Sequence, residues 1–200
     1  MLIANDKPIR IIGYPESSMT EEYVQTFRKD HITNFEVITA DEFFQYKNKN
    51  DYQYIISLWF DMAKKARVSA EIEKHKLDCV TYINDSVYYF DTSKIGKGCF
   101  IAHRGVVSWN VEMGDHCYLG FSAMIGHDST LGKNCVISPF VGISGKCTIG
   151  NNCFFGGRAT VLAKVTIIDD VHVSGVSNIT KDITKPGRYA GYIARYIGEV

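Results

Sequence analysis

MGDHCY LGFSAM IGHDST LGKNCV, residues Met113–Val136, is four blocks of six with one pattern: an apolar residue leads, glycine follows, and the fifth residue is small. The pattern extends in both directions without insertion. Its leads are Ile95, Ile101, Val107, Met113, Leu119, Ile125, Leu131, Ile137, Ile143, Ile149, Phe155, Val161, Ile167, Val173 and Ile179, all apolar. A period of six fits neither the α-helix nor the heptad, so it predicts stacked short strands. Three hexads make one coil with three flat sides, the lead and fifth residues pointing inward. Cysteine marks the longer period, because Cys99, Cys117, Cys135 and Cys153 recur every 18 residues in the fifth place and so fall in one column. The span from Ile95 to Thr184 then gives about five coils, roughly 24 Å tall at the ~4.8 Å spacing of paired strands. Such a stack satisfies its backbone coil by coil and leaves open ends that need caps.

Upstream of the repeat the pattern changes to alternating strands and helices. Ile9–Gly13 reads as an apolar strand, and Ser18-x-x-Glu21 has capping-box spacing ahead of a helix from Thr20 to about Arg28. Phe35–Ile38 is a second strand, Thr39-x-x-Glu42 a second capping box, and Tyr54–Leu58 a third strand. Asp61 caps a helix running to His75, and Cys79–Ile83 supplies a fourth strand. This succession predicts a small parallel α/β sheet of the Rossmann type. The expected organisation is therefore an α/β domain over 1–82, a β-helix over 83–184 and a capping segment over 185–200.

Lysine plus arginine balances aspartate plus glutamate at 22 each, so net charge points to neither a nucleic-acid partner nor an anionic membrane surface. No apolar run reaches the ~20 residues that span a bilayer, and the first residues lack a signal peptide's apolar stretch. The expected location is cytoplasmic. Four of the six cysteines occupy the inward column and no Cys-x-x-Cys pair occurs, which reads as small core side chains rather than disulfides or a metal site.

The block Ile125–Thr130 carries the candidate chemistry. Neutral imidazole at His127 is suited to taking a proton from an attacking amine or hydroxyl near pH 7, and a carboxylate at Asp128 can fix its tautomer. The residues alone leave alternatives open: His116 beside Asp115 and His172 near Asp169 and Asp170 share the adjacency, and an outward histidine on a solenoid also serves as a solvated or interface residue.

The apolar-Gly-x-x-small-x repeat resembles the hexapeptide acyltransferases, and with the α/β half ahead of it the whole chain is similar to the sugar acyltransferases typified by the acetyltransferase PglD and the sialic acid O-acetyltransferase NeuD. The resemblance implies a left-handed β-helix, a handedness that general connection rules do not supply. It also implies a homotrimer that takes acetyl-CoA as co-substrate, no metal, and a nucleotide-linked amino sugar or other sugar as acceptor. His127 matches the family's base and Asp128 its acidic neighbour, with a backbone N–H near Gly145 placed to hold the oxyanion. Gly145, Gly157 and Gly175 match the family's co-substrate site, although glycine also serves tight corner turns, and Gly13, Tyr14 and Ser17 match the turn that meets the acceptor. Lys164 and Lys181, with Arg188 and Arg195, enrich the C-terminal coils in positive charge, which suits either the CoA phosphates or a solvated basic face. Two departures stand out. The turn is Gly13-Tyr14-Pro15-Glu16-Ser17-Ser18, with one glycine and a carboxylate where pyrophosphate would lie, and Val136 occupies the place of a second family histidine.

The expected activity is N-acetylation of the amino sugar for surface glycan synthesis. O-acetylation of a sugar hydroxyl and a non-catalytic β-helix scaffold are the rivals. A metal-dependent prism of the carbonic-anhydrase kind is disfavoured, since His103 and His127 fall on different sides of the coil.

Overall fold

The computed structural model describes residues 2–3, 6–193 and 195–199. The chain forms two compact units with the boundary between Thr81 and Tyr82. No helix among the described residues is long and apolar enough to cross a membrane.

The first unit comprises β1 (Ile9–Ile12), α1 (Ser18–Lys29), β2 (Phe35–Ile38), α2 (Ala40–Gln45), β3 (Gln53–Ile56), α3 (Met62–Lys74) and β4 (Asp78–Cys79). All strands are parallel in the order β2-β1-β3-β4. Every residue of β1 and β3 is buried, as central strands covered on both faces require. One of them is charged: Arg10 lies between the rings of Tyr46 and Tyr52, 3.5 and 3.3 Å from their centroids, with its Nε on Glu36. The box Thr39–Glu42 closes in both directions and Asp61 caps α3 through the Lys64 N–H. At α1 the cap is one residue earlier than the spacing predicts. Ser17 accepts from the Met19 N–H, and Ser18 is already helical.

The predicted fourth strand divides. Only Asp78–Cys79 pairs with β3, whereas Tyr82–Ile83 pairs with Phe100–Ile101 and opens the second unit. Alternation alone does not reveal this break, because Val80 continues the apolar run.

The second unit is a left-handed parallel β-helix of triangular section. Its first face runs through Thr81–Ile83, Phe100–Ile101, Tyr118–Leu119, Val136–Ile137, Phe154–Phe155 and Val171–Val173. The second face runs from Tyr88–Tyr89 through Met124–Ile125 to Asn178–Ile179, and the third from Lys94–Ile95 through Thr130–Leu131 to Thr166–Ile167. Neighbouring strands keep a register of 18, as in Met124 opposite Gly142 and Ile125 opposite Ile143. The second face holds six strands rather than the five coils counted from Ile95, because Tyr88–Tyr89 already lies in register with Val106–Val107. Lead residues from Ile101 to Ile179 are buried, and each such aliphatic side chain contributes about 1.5–3 kcal/mol of transfer free energy.

Corners are turned by a residue in the left-handed region once per hexad: Arg104, Asn110, His116, Ser122, Asp128, Asn134 and onward to Val176, all at φ between 53° and 66°. Glycine does not do this work at Gly145, Gly157 or Gly175, so tight-turn geometry does not explain those three. The cysteine column is internal: Cys135 Sγ lies 3.6 Å from the Lys133 carbonyl oxygen and 3.2 Å from that of Gly150 in the next coil. Burial pushes the Cys135 thiol well above the ordinary cysteine range.

The C-terminal segment continues the first face instead of only lying across the last coil. Gly187–Ala190 pairs in parallel with Val171–Val173, and Arg195–Gly198 returns antiparallel to it.

Candidate active site

His127 and Asp128 sit on the corner between the second and third faces, between the strands Met124–Ile125 and Thr130–Leu131. The left-handed conformation of Asp128, φ 55°, turns its side chain back along the corner. Its Oδ2 lies 2.9 Å from His127 Nδ1. Asn110, one coil earlier, donates from Nδ2 to the other carboxylate oxygen at 3.1 Å. These two hydrogen bonds, that to His127 foremost, hold the Asp128 carboxyl below its usual range, so it stays an anion through neutral pH. A carboxylate on Nδ1 favours the tautomer with the proton there and leaves Nε2 as the basic atom. Nε2 carries no protein hydrogen bond among the described residues, and the ring is about 38 % exposed.

The imidazole is clamped from both sides along the coil axis. Below it the Trp109 ring lies parallel, 4.7 Å between centroids and 9° between planes. Above it stands Gly145, where a Cβ would come 2.6 Å from Nε2 and 2.8 Å from Cδ2. Only glycine leaves space for the ring there.

Two backbone donors at this corner are also free, among the described residues. On the corner after the third face, three amides of third hexad residues are taken by a side chain of the next coil: Lys97 N–H by Asp115, Lys133 N–H by Asn151, Asn151 N–H by Asp169. At the corner of His127 the equivalent residues above are Gly145 and Ala163, which have no acceptor. Among the described residues the N–H groups of His127 and Gly145 therefore keep no partner within the chain. A basic nitrogen beside an unpaired amide is the pairing that acyl transfer needs, one group for the proton and one for the oxyanion.

The other expected site residues are distributed. Lys164 and Lys181 are exposed on the same corner, in coils beyond Gly145. Gly157 and Gly175 stack on the corner between the first and second faces, away from His127 in the same chain. A Cβ at Gly175 would come 3.0 Å from the Gly157 carbonyl oxygen, whereas one at Gly157 would make only an ordinary 3.4 Å contact. In the first unit Gly13 is buried and its N–H goes to the Ile38 carbonyl, so it shapes the turn without offering a donor. Tyr14 is exposed, its hydroxyl donating to Asp61 at 3.0 Å, and Ser17 is committed to capping α1. Val136 is wholly buried on the first face, apart from the His127 corner. The remaining prism histidines are placed differently. His103 stacks on Phe121, His172 meets Phe154, and His116 is buried at a corner. Trp109 and Asn110 escaped the reading of the sequence, although they stand 18 residues before His127 and Asp128 and column arithmetic would have found them.

Two family models match the prism: "Bacterial transferase hexapeptide (six repeats)" over 110–145 and "Hexapeptide repeat of succinyl-transferase" over 146–177. Residues 110–177 are thus matched as hexapeptide repeats. Among solved structures the chain is similar to the acetyltransferase domain of PglB from Neisseria gonorrhoeae, at 16 % identity and TM-score 0.84, covering 96 % of this chain and 100 % of that one. PerB from Caulobacter crescentus, solved in complex with CoA and GDP-perosamine, matches at 18 % identity and TM-score 0.83 over 97 % and 99 %. WeeI from Acinetobacter baumannii matches at 14 % identity and TM-score 0.55 over 96 % and 100 %. No curated protein matches the sequence.

Proposed function

We propose that this protein is an acetyl-CoA-dependent N-acetyltransferase acting on the amine of a nucleotide-linked amino sugar. The observation that carries the reading is the His127 ring, held by Asp128 at Nδ1, open at Nε2, and set against Gly145 with its free N–H. The similarity to PglB and to PerB with CoA and GDP-perosamine supports the choice of acetyl donor and of an amino-sugar acceptor.

Acetyl-CoA supplies the acetyl group as a thioester; Gly157, Gly175, Lys164 and Lys181 are the residues assigned to hold it. His127 Nε2 takes the proton that the acceptor amine sheds as its nitrogen bonds to the acetyl carbon. Asp128 stabilises the imidazolium so formed. The Gly145 N–H donates to the carbonyl oxygen while that oxygen carries negative charge, and His127 returns the proton to the departing thiolate as the carbon–sulfur bond breaks. The products are an acetamido sugar and free CoA. Tyr14 is assigned to the acceptor side. The working form is taken as a cytoplasmic homotrimer in which a neighbouring copy completes the exposed corner.

The test is thiol release from acetyl-CoA across a panel of amino sugars and their nucleotide-linked forms. Wild type is expected to turn over a nucleotide-linked amino sugar, and His127→Ala to lose about 10²–10⁴-fold in kcat while remaining folded. An unchanged rate in that variant removes His127 from the chemistry. The turn Gly13–Ser18 favours a second reading, transfer to a sugar hydroxyl, because Glu16 opposes a pyrophosphate there; acetyl ester formation on unmodified sugars in the same panel would select it.

A further inference from the structure

His127 and Asp128 do not hold each other unaided. The residues one coil below, Trp109 and Asn110, meet them in register, ring against ring and amide against carboxylate. Trp109 is itself supported, since the Phe90 and Trp109 rings make a T-shaped pair at 5.7 Å and 80°, and the Trp109 carbonyl accepts the Asp128 N–H at 3.1 Å. Asn110 is anchored by its own N–H on Thr92 Oγ1 at 3.1 Å and adopts φ 56°, a conformation asparagine tolerates well. The imidazole thus has one face on an aromatic plane and the other against the Gly145 backbone, so tipping or sliding along the prism would bring it into one or the other. The carboxylate is held with Oδ1 on Asn110, which turns Oδ2 to Nδ1. An exposed histidine on a bare corner would otherwise sample several rotamers and both tautomers.

We infer that Trp109 and Asn110 are positioning residues of this site: the indole fixes the plane of the His127 ring and the amide fixes the Asp128 carboxylate, so that Nδ1 keeps the proton and Nε2 faces the acceptor. The charged groups around the ring are few. Asp128 meets it directly, and Lys146 lies one coil above Asp128 and acts on the carboxylate. The flat face of Trp109 suits an imidazolium as well as an imidazole, because the indole quadrupole attracts a cation. This inference rests on His127 being the base, and the tests below separate the two ideas.

The variants are Trp109→Ala, Trp109→Phe and Asn110→Gly, the last removing the amide while keeping a residue at ease in the left-handed corner. Nitrogen-15 spectra of the unliganded protein report the His127 tautomer without any turnover. Wild type is expected to show the Nδ1–H form, with Trp109→Ala and Asn110→Gly showing a mixture and Trp109→Phe restoring the single form. In the acetylation assay Trp109→Ala is expected to lower kcat on the order of 10²-fold with the KM for acetyl-CoA unmoved, as for a misplaced catalytic group. Circular dichroism confirms that each variant keeps the prism, and Asn110→Gly decides the matter should Trp109→Ala fail to fold. An unchanged tautomer together with an unchanged kcat in Trp109→Ala and Asn110→Gly overturns the inference, even if His127→Ala is inactive. An active His127→Ala overturns the base assignment instead, and leaves the tautomer result standing as a statement about the ring's support.

Discussion

At the scale of single residues the hexad explains which positions are free to carry chemistry. The lead and fifth places are spent on the core and the fourth on the corner's left-handed turn, so the third place is where side chains differ most in role. His127, Gly145 and Trp109 all occupy it. Gly145 and Gly157 are both third-place glycines, yet the space above them differs, and substitution separates their functions. Gly145→Ala sets a Cβ 2.6 Å from His127 Nε2, a distance no real contact shows, so the ring must leave its seat. The expected result is a kcat loss on the order of 10²-fold with little change in melting temperature, because the displaced group is a half-exposed side chain rather than core. Gly157→Ala meets nothing closer than 3.4 Å and is expected to melt as wild type does, while raising the KM for acetyl-CoA. Steady-state kinetics on both variants checks the split. His127 and Asp128 were legible as a pair from adjacency, but adjacency also favoured His116 and its neighbour. What distinguishes them is burial and the contents of the coils above and below, which only the 18-residue register supplies.

Among elements, the prism was more legible than the α/β unit because its signal is a repeat, not a propensity. Fifteen apolar leads at one period fix a stack of three-sided coils, though not its hand, while an isolated run such as Cys79–Ile83 gives no sign that it serves two sheets. Arg10 in the middle of β1 was equally hidden, since the two tyrosines that sandwich it come from a distant loop. The cysteine column makes a direct prediction. Cys99, Cys117, Cys135, Cys147 and Cys153 are buried free thiols, and burial raises the thiols of Cys135 and Cys147, so the thiolate that alkylating agents require is scarce. Native protein treated with iodoacetamide at pH 8 is expected to label at Cys79 alone, with all six labelled after denaturation; mass spectrometry of the peptides reads this out. The first face carries a pH dependence of its own. Burial, and then the charge of Arg188, lower the His172 pKa below its usual value. The unfolded chain, protonating near the ordinary value of about 6.5, therefore binds the proton more readily, and stability present above that pH is lost as pH falls through it toward the folded value. Thermal melts between pH 7.5 and 5.5 are expected to show a decline in wild type that His172→Phe, which keeps the ring packing on Phe154, makes shallower.

For the whole molecule the question is how a convex corner excludes water. His127 lies on an outer edge of the prism, and the third face beside it, from Lys94 to Asn151, forms only an open groove of about 490 Å³. Acyl transfer in such a place competes with solvent unless a second surface covers it. The same chain puts Gly157 and Gly175 on another corner, across the second face from His127. If those glycines hold the acetyl donor that His127 serves, the two groups belong to different copies, and each active site is assembled from two chains. This has a consequence that neither corner has alone. His127→Ala lacks the base but keeps its donor corner; Gly175→Trp keeps the base but fills the donor corner with an indole. Each variant alone is expected to be inactive as an assembly. Denatured together and refolded as a mixture, they are expected to regain a fraction of wild-type activity, because some interfaces then join an intact base to an intact donor corner. Native mass spectrometry of the mixture counts the copies, with three expected. A mixture containing mixed assemblies but no recovered turnover would place both groups in one chain and rule out the shared site.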